Sequence, residues 1–277
     1  MAGVSFMGRL SFSRAGFPLA WTAALILLAD VSPEGAELVP FRGLDPSELR
    51  LDPLLQGEER SAPPARGAQS LSGDPEGAEA ELNAFKLGLA AMDRGDVTAA
   101  KSSFVGILGR HPEHLGALVN MGWIAQKQKD WVQAESFLKR AQKLDPENVA
   151  VWTALGVVYM EQERLDFAAG ALFQVVALQP KNARGHRLLG LALGRKGWNS
   201  GAESELRRSL ELEPDDAGAH YNLSVIYLQR TPPAVELARR HYYRAVDLGG
   251  APDQSVEALL VQDGEGAKSS KISKAAR

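Results

Sequence analysis

The chain contains no cysteine, which removes disulfides, thiolate metal sites, a cysteine nucleophile and a lipid-modified cysteine together. A dominant charge is missing too. A formal net charge of −3 over 277 residues, with a pI near 6.0, gives no overall electrostatic pull toward nucleic acid. There is no phosphate-cradling glycine loop, no nucleophile elbow and no helix carrying paired histidines with a glutamate. These gaps leave no catalytic residue, metal site or cofactor to assign, and the chain reads as a non-enzyme. Its N-terminal apolar stretch, Ala15 to Ala29, has only fifteen residues, against the roughly 20 that span a bilayer core.

What is present is unevenly spread. Fifteen prolines divide into eight before residue 76 and seven after it. Four of those seven, Pro112, Pro146, Pro180 and Pro214, lie 34 residues apart.

The first 29 residues carry Arg9 and Arg14 but no acid, and the apolar stretch ends at Asp30. A basic start followed by an apolar middle is the pattern of a secretory signal, which predicts an exported, periplasmic protein. A cut after Ala29 would leave Leu27 where a small residue is preferred, so an uncleaved membrane anchor stays open. Ser5, Ser11 and Ser13 leave a mitochondrial presequence as a third reading. Residues 30–77 combine seven prolines with four arginines, and eleven acids lie between Asp30 and Glu79, a composition expected of an acidic, disordered tether. Within it, FRGLDPSELRLDPLL over 41–55 spaces Leu44, Leu49, Leu51, Leu54 and Leu55 as a partner-docking segment would. Residues 263–277 are small, polar and lysine-bearing, and read as a frayed tail.

Aligning the chain at period 34 from Glu81, Leu115, Val149, Ala183 and Ala217 brings columns into register. The seventh position reads Leu87, Met121, Leu155, Leu189 and Leu223, and the eighth Gly88, Gly122, Gly156, Gly190 and Ser224. The twentieth reads Ala100, Ala134, Ala168 and Ala202, and the twenty-fourth Phe104, Leu138, Leu172 and Leu206. These spacings put positions four, seven, eight and eleven on one helical face and twenty, twenty-four and twenty-seven on another. Two amphipathic helices per unit are therefore expected. Small residues at eight and twenty would let the backbones approach, with the larger residue at twenty-four filling the gap. Proline closes each unit, and Asp145 ahead of Pro146 is expected to cap the next helix. In the fifth copy a two-residue insertion around Thr231-Pro232-Pro233 moves the alanine to Ala238, followed by Tyr242 and Ala245. Val256, Leu259 and Leu260 then sit at helical spacing in 253–262, as in a short cap on the stack.

These columns resemble the tetratricopeptide repeat family, matched most fully by Trp152, Leu155-Gly156, Tyr159, Ala168, Leu172, Val175 and Pro180. The resemblance runs from residue 81 to 252, within a repeat domain placed at 78–252. It implies an all-α, right-handed solenoid of five helix-turn-helix repeats whose first helices line a concave groove. Carried over position by position, the groove comprises Phe85, Leu89 and Met92, then Val119 and Trp123, then Thr153 and Val157. Arg184, Arg187, Leu191 and Arg195 follow, then Tyr221 and Val225. The implied partner is a protein or peptide with apolar anchors and an acidic end. Positions five and nine of the first two repeats are Phe85, Leu89, Val119 and Trp123, so the lysine and asparagine of the chaperone carboxylate clamp are missing. Membrane contact is expected only through an uncleaved signal. The function expected is that of a scaffold or adaptor. The alternative is an accessory subunit of an enzyme or envelope assembly meeting its partner through convex-face arginines such as Arg207, Arg208, Arg239 and Arg240.

The five histidines fit structural roles. His111 and His114 read as solvated loop residues, while His186 and His220 share a column where the family favours tryptophan. His241 lies in a basic run, Arg239 to Arg244, which looks like a nucleic-acid patch until the repeat puts Tyr242 in the core.

Overall fold

The computed structural model describes residues 75–261. Readings that fall on 1–74 and 262–277, including the signal, most of the tether and the tail, lie outside the described residues. The chain divides into two units, Met1–Leu38 and Val39–Arg277, and everything below concerns the second. Its helices are α1 (Pro75–Asp93), α2 (Val97–Arg110), α3 (Leu115–Lys127), α4 (Trp131–Leu144) and α5 (Val149–Glu161). They continue as α6 (Leu165–Leu178), α7 (Ala183–Arg195), α8 (Asn199–Leu212), α9 (Ala217–Leu228) and α10 (Val235–Asp247). A terminal helical segment covers 254–261. Consecutive helices pair as repeats and the repeats stack in order, giving the all-α, right-handed solenoid. Helix α1 begins at Pro75, so residues 75–77 are helical. Among the described residues no helix is long and apolar enough to cross a membrane.

Local chemistry sets the boundaries. His114, Asn148, Asn182 and Asp216 each accept a backbone N–H three residues on, at 2.8–3.1 Å, at the start of α3, α5, α7 and α9. Such caps typically contribute about 1 kcal/mol each. Asp145 does not cap α5. It stands at the end of α4, where Oδ2 accepts from Asn148 Nδ2 at 3.0 Å, and Asn148 does the capping. The turn inside each of the first four repeats needs one left-handed residue, supplied by Gly95, Lys129, Glu163 and Gly197, with φ between +56° and +83°.

The core follows the columns. A Cβ on Gly88, Gly122, Gly156 or Gly190 would lie 2.6–2.8 Å from Phe104, Leu138, Leu172 or Leu206 respectively. Only hydrogen fits there. In the fifth repeat Ser224 takes the glycine position, turns its hydroxyl to the Tyr221 carbonyl at 2.6 Å, and Tyr242 is the filler. Leu87 departs from its column and is 65% exposed. Its counterpart Met121 packs among Ala100, Phe104 and Ile107 of the preceding repeat, and α1 has no such described repeat before it.

The two helices of a repeat are not equally amphipathic. Second helices such as α4, α8 and α10 bury one narrow stripe. First helices are enclosed: Gly185 through Ala192 of α7 and Tyr221 through Tyr227 of α9 are buried without interruption. A helix buried all round has neighbours on every side, which accounts for sequences as uniformly apolar as VAVWTALGVVYM in α5.

Candidate functional site

The first-helix positions that the resemblance assigns to the groove fall into three packed groups. Phe85, Leu89, Met92 and Trp123 meet around Phe104 and Ile107. Val119, Val157 and Leu191 join the central cluster, which Trp123 also touches. Tyr221 and Val225 belong to the C-terminal cluster. Phe85, Leu89, Trp123, Arg184 and Arg195 are half-buried, whereas Met92, Val119, Thr153, Val157, Arg187, Leu191, Tyr221 and Val225 are buried. Thr153 turns its hydroxyl back to the Val149 carbonyl at 2.8 Å, a bond within its own helix.

Several charged pairs span about one repeat. Arg187 Nε lies 2.8 Å from Asp216 Oδ2, with both side chains largely buried. Asp216 is also the cap of α9, so Arg187 and a helix start share one carboxylate. Gly218 makes room for it, since a Cβ there would stand 3.2 Å from Arg187 Nη1. Arg195 pairs with Glu163 of the preceding repeat. Further back, Arg164 Nη1 and Lys139 Nζ each reach Glu135 at 2.7 Å. Burial alone would raise the Glu135 carboxyl, but the bonds from Lys139 and Arg164 outweigh it and hold the group below its ordinary value. Arg164 also lies over the Tyr159 and Phe167 rings, 4.7 and 4.5 Å from their centroids.

Junction carbonyls have dedicated donors. Trp152 Nε1 donates to the Pro146 carbonyl at 2.7 Å, and in the same column His186 and His220 place Nε2 at 3.1 and 3.0 Å from the Pro180 and Pro214 carbonyls. At the first junction Arg140, from the second helix of the next repeat, donates to the Pro112 carbonyl at 2.7 Å. The histidines of this column therefore do more than pack: they stand in for the tryptophan N–H. His220 and His241 also meet, Nδ1 to Nδ1 at 2.9 Å. With His220 Nε2–H committed to Pro214, its Nδ1 is the acceptor and His241 the donor, which requires a neutral His220 ring. Burial lowers both groups, and His241, pushed further by His220, Arg240 and Arg207, falls to about 4.

His111 is exposed, as a solvated loop residue would be, while His114 is half-buried. Both face Glu81, at 2.9 and 3.5 Å, and His114 Nδ1 accepts the Ala117 N–H. Among the described residues no group of three or more His, Cys, Asp or Glu side chains could hold a metal ion. Tyr242 is fully buried, as its column implies, and Arg244 pairs with Asp215 while Arg239 reaches Glu236 and the Leu260 carbonyl. No local sequence pattern marks the inter-repeat partners Asp216 and Glu163. Their signal was separation by about one repeat, 29 and 32 residues from the arginines they meet.

A repeated helical hairpin with a glycine-to-filler contact in four units and a serine-to-tyrosine one in the fifth defines a helical-repeat scaffold. Profiles described as tetratricopeptide repeat match residues 85–149 and 187–255, and 125–192. The chain belongs to the tetratricopeptide repeat family, and its solenoid is a protein-interaction scaffold. Among solved structures it is similar to MamA from Desulfovibrio magneticus RS-1, with a TM-score of 0.57 and 20% identity, over 61% of this chain and 94% of that one. It is also similar to MamA of strain AMB-1, with a TM-score of 0.52 and 23% identity, over 61% of this chain and 98% of the other. At these identities the likeness concerns the fold. No curated protein sequence matches.

Proposed function

We propose that this protein is an exported adaptor whose first helices hold an extended or helical segment of a partner protein, outside the cytoplasm. The observation that carries the reading is the chemical grading along those helices. Phe85, Leu89 and Trp123 form a half-buried apolar and aromatic surface in repeats one and two, and Arg184, Arg187 and Arg195 gather in repeat four. Apolar anchors at one end and guanidinium groups at the other suit a segment with hydrophobic side chains and an acidic end. Two acids already attend that cluster, so an incoming carboxylate would compete with Glu163 for Arg195, an exchange near solvent that costs little. Export rests on the basic and apolar pattern of residues 1–29.

The test is photocrosslinking in the native cell from position 89 or 123, against position 139 on the outer side of α4. Adducts from 89 and 123 are the expected result, with those from 89 abolished by Trp123→Ala with Arg184→Glu while helical circular dichroism is retained. Adducts from position 139 alone would overturn the groove reading. Arg187 is left intact because Arg187→Glu would set two carboxylates together at Asp216 and destabilise α9. A mature protein that begins at Asp30 in an envelope fraction is the outcome expected for export.

A further inference from the structure

The outer face of α6 differs from that of every other second helix. From Phe167 to Pro180 there is no ionisable side chain. Phe167 and Phe173 are 58% and 59% exposed, with Gly170, Gln174, Ala177 and Leu178 exposed between and beyond them. Second helices elsewhere carry charge past their first turn: Lys101 and Arg110 in α2, Lys139, Arg140 and Lys143 in α4, Arg207 and Arg208 in α8, Arg240 and Arg244 in α10. Contiguous exposed apolar surface of this kind on a soluble fold marks a contact site.

We infer that this face is where two copies of the chain pair, α6 against α6, about a two-fold axis. Near such an axis each residue meets its own copy or a near neighbour, so a helix charged at its middle would set like charges against each other. Helix α6 is the described second helix that avoids this, and its ends are charged in opposite senses. Asp166, 78% exposed though already paired with Lys196 of its own chain, precedes the apolar stretch, and exposed Lys181 follows it. An antiparallel pairing centred between Phe173 and Gln174 places Asp166 opposite the other copy's lysine at 181. It also places Gly170 opposite alanine 177. A Cβ on Gly170 would meet nothing within 4 Å, so the second helix can approach closely there while the two Phe173 rings stack beside the axis. One helix face per copy buries on the order of 800 Å² in total, below the standard range for stable complexes. The pairing is therefore weak and concentration-dependent. It is independent of the groove and leaves it open.

Sedimentation velocity on the full chain, from about 1 to 500 µM, tests the pairing. A weight-average mass that climbs toward the dimer is expected, and Phe173→Glu, an exposed substitution that leaves circular dichroism unchanged, should weaken association at least tenfold. Asp166→Lys and Lys181→Glu should each weaken it, and together restore it. A monomer throughout, an unaffected Phe173→Glu variant, or a charge-swapped double variant no better than the singles would overturn the inference.

Discussion

The third and fifth repeats solve one packing problem with opposite chemistry. In the third, α5 and α6 meet through Gly156 and Leu172, with a glycine Cα against a branched aliphatic chain and no polar atom at the contact. In the fifth, Ser224 and Tyr242 occupy those places, and the tyrosine hydroxyl accepts from the Asp253 N–H at 2.7 Å and donates to Glu257 at 2.9 Å. Tyr221 donates to Asp253 Oδ2 at 2.6 Å, and Asp253 Oδ1 accepts from Ser255 and Val256, starting the terminal helical segment. A repeat flanked on both sides can be apolar, because its neighbours supply every missing contact. The repeat that closes the stack reaches the solvent boundary, and there aromatic rings with polar tips bury area while bonding the cap.

The largest consequence concerns what each repeat loses when its filler is cut. Leu172→Ala removes a fully buried side chain from the middle of the stack and should cost about 3 kcal/mol. Because stability passes between neighbours, it should also split urea unfolding into two transitions. Tyr242→Phe keeps the ring and removes only its bonds to Asp253 and Glu257, and should cost about 1 kcal/mol with α10 intact. Equal losses, followed by circular dichroism in urea, would erase the contrast between the repeats.

Acid offers a second way to separate them. The third repeat has no histidine, whereas the fifth holds the His220–His241 pair, faced by Arg207, Arg240 and Arg244 and by Glu203, Asp215 and Asp216. Their folded values lie below the ordinary 6.5, with His241 at about 4, so the unfolded chain binds more protons between those limits. Stability of the fifth repeat should therefore be complete near neutrality and fall as pH drops from 6.5 toward 4, by an amount on the order of 2–3 kcal/mol. Asp253, held below its ordinary value chiefly by the Tyr221 hydroxyl, adds a further loss at lower pH as it takes up a proton. Amide exchange at pH 7 and pH 4.5 should show protection lost in α9 and α10 and kept in α5 and α6. Uniform loss would mean that the pair is not what distinguishes the last repeat.

The contrast also shows what could be read in advance. Helix pairs, their starts at 115, 149, 183 and 217, and the glycine-to-filler contacts were legible because period and residue size dictate them. A carboxylate before proline looks like a cap, yet three more residues, 146–148, intervene between Asp145 and the start of α5. Enclosure of α5 and α9 was hidden in their lack of amphipathicity, which has meaning only once the stacking order is known. The pairings Arg187–Asp216, Arg195–Glu163 and His220–His241 depend on side chains from different helices meeting across a turn or an interface, and no local pattern announces them.

The smallest effect lies in the turn, where the third repeat makes do with a residue that the fourth replaces by glycine. Glu163 has φ +56° and its counterpart Gly197 +83°. Holding an L-residue in the left-handed region costs about 1–2 kcal/mol, so Glu163→Gly relieves strain. The same change frees the unfolded chain, at roughly 0.4–1 kcal/mol, and removes an exposed pair with Arg195 worth about 0–1 kcal/mol. The contributions nearly cancel, and a shift within about 0.5 kcal/mol in urea is expected. Glu163→Ala keeps the strain while losing the pair, and should be the less stable of the two. Should Glu163→Ala match wild type and Glu163→Gly prove clearly worse, the turn would be held by something other than backbone angle, and the glycines of the first and fourth repeats would need another explanation.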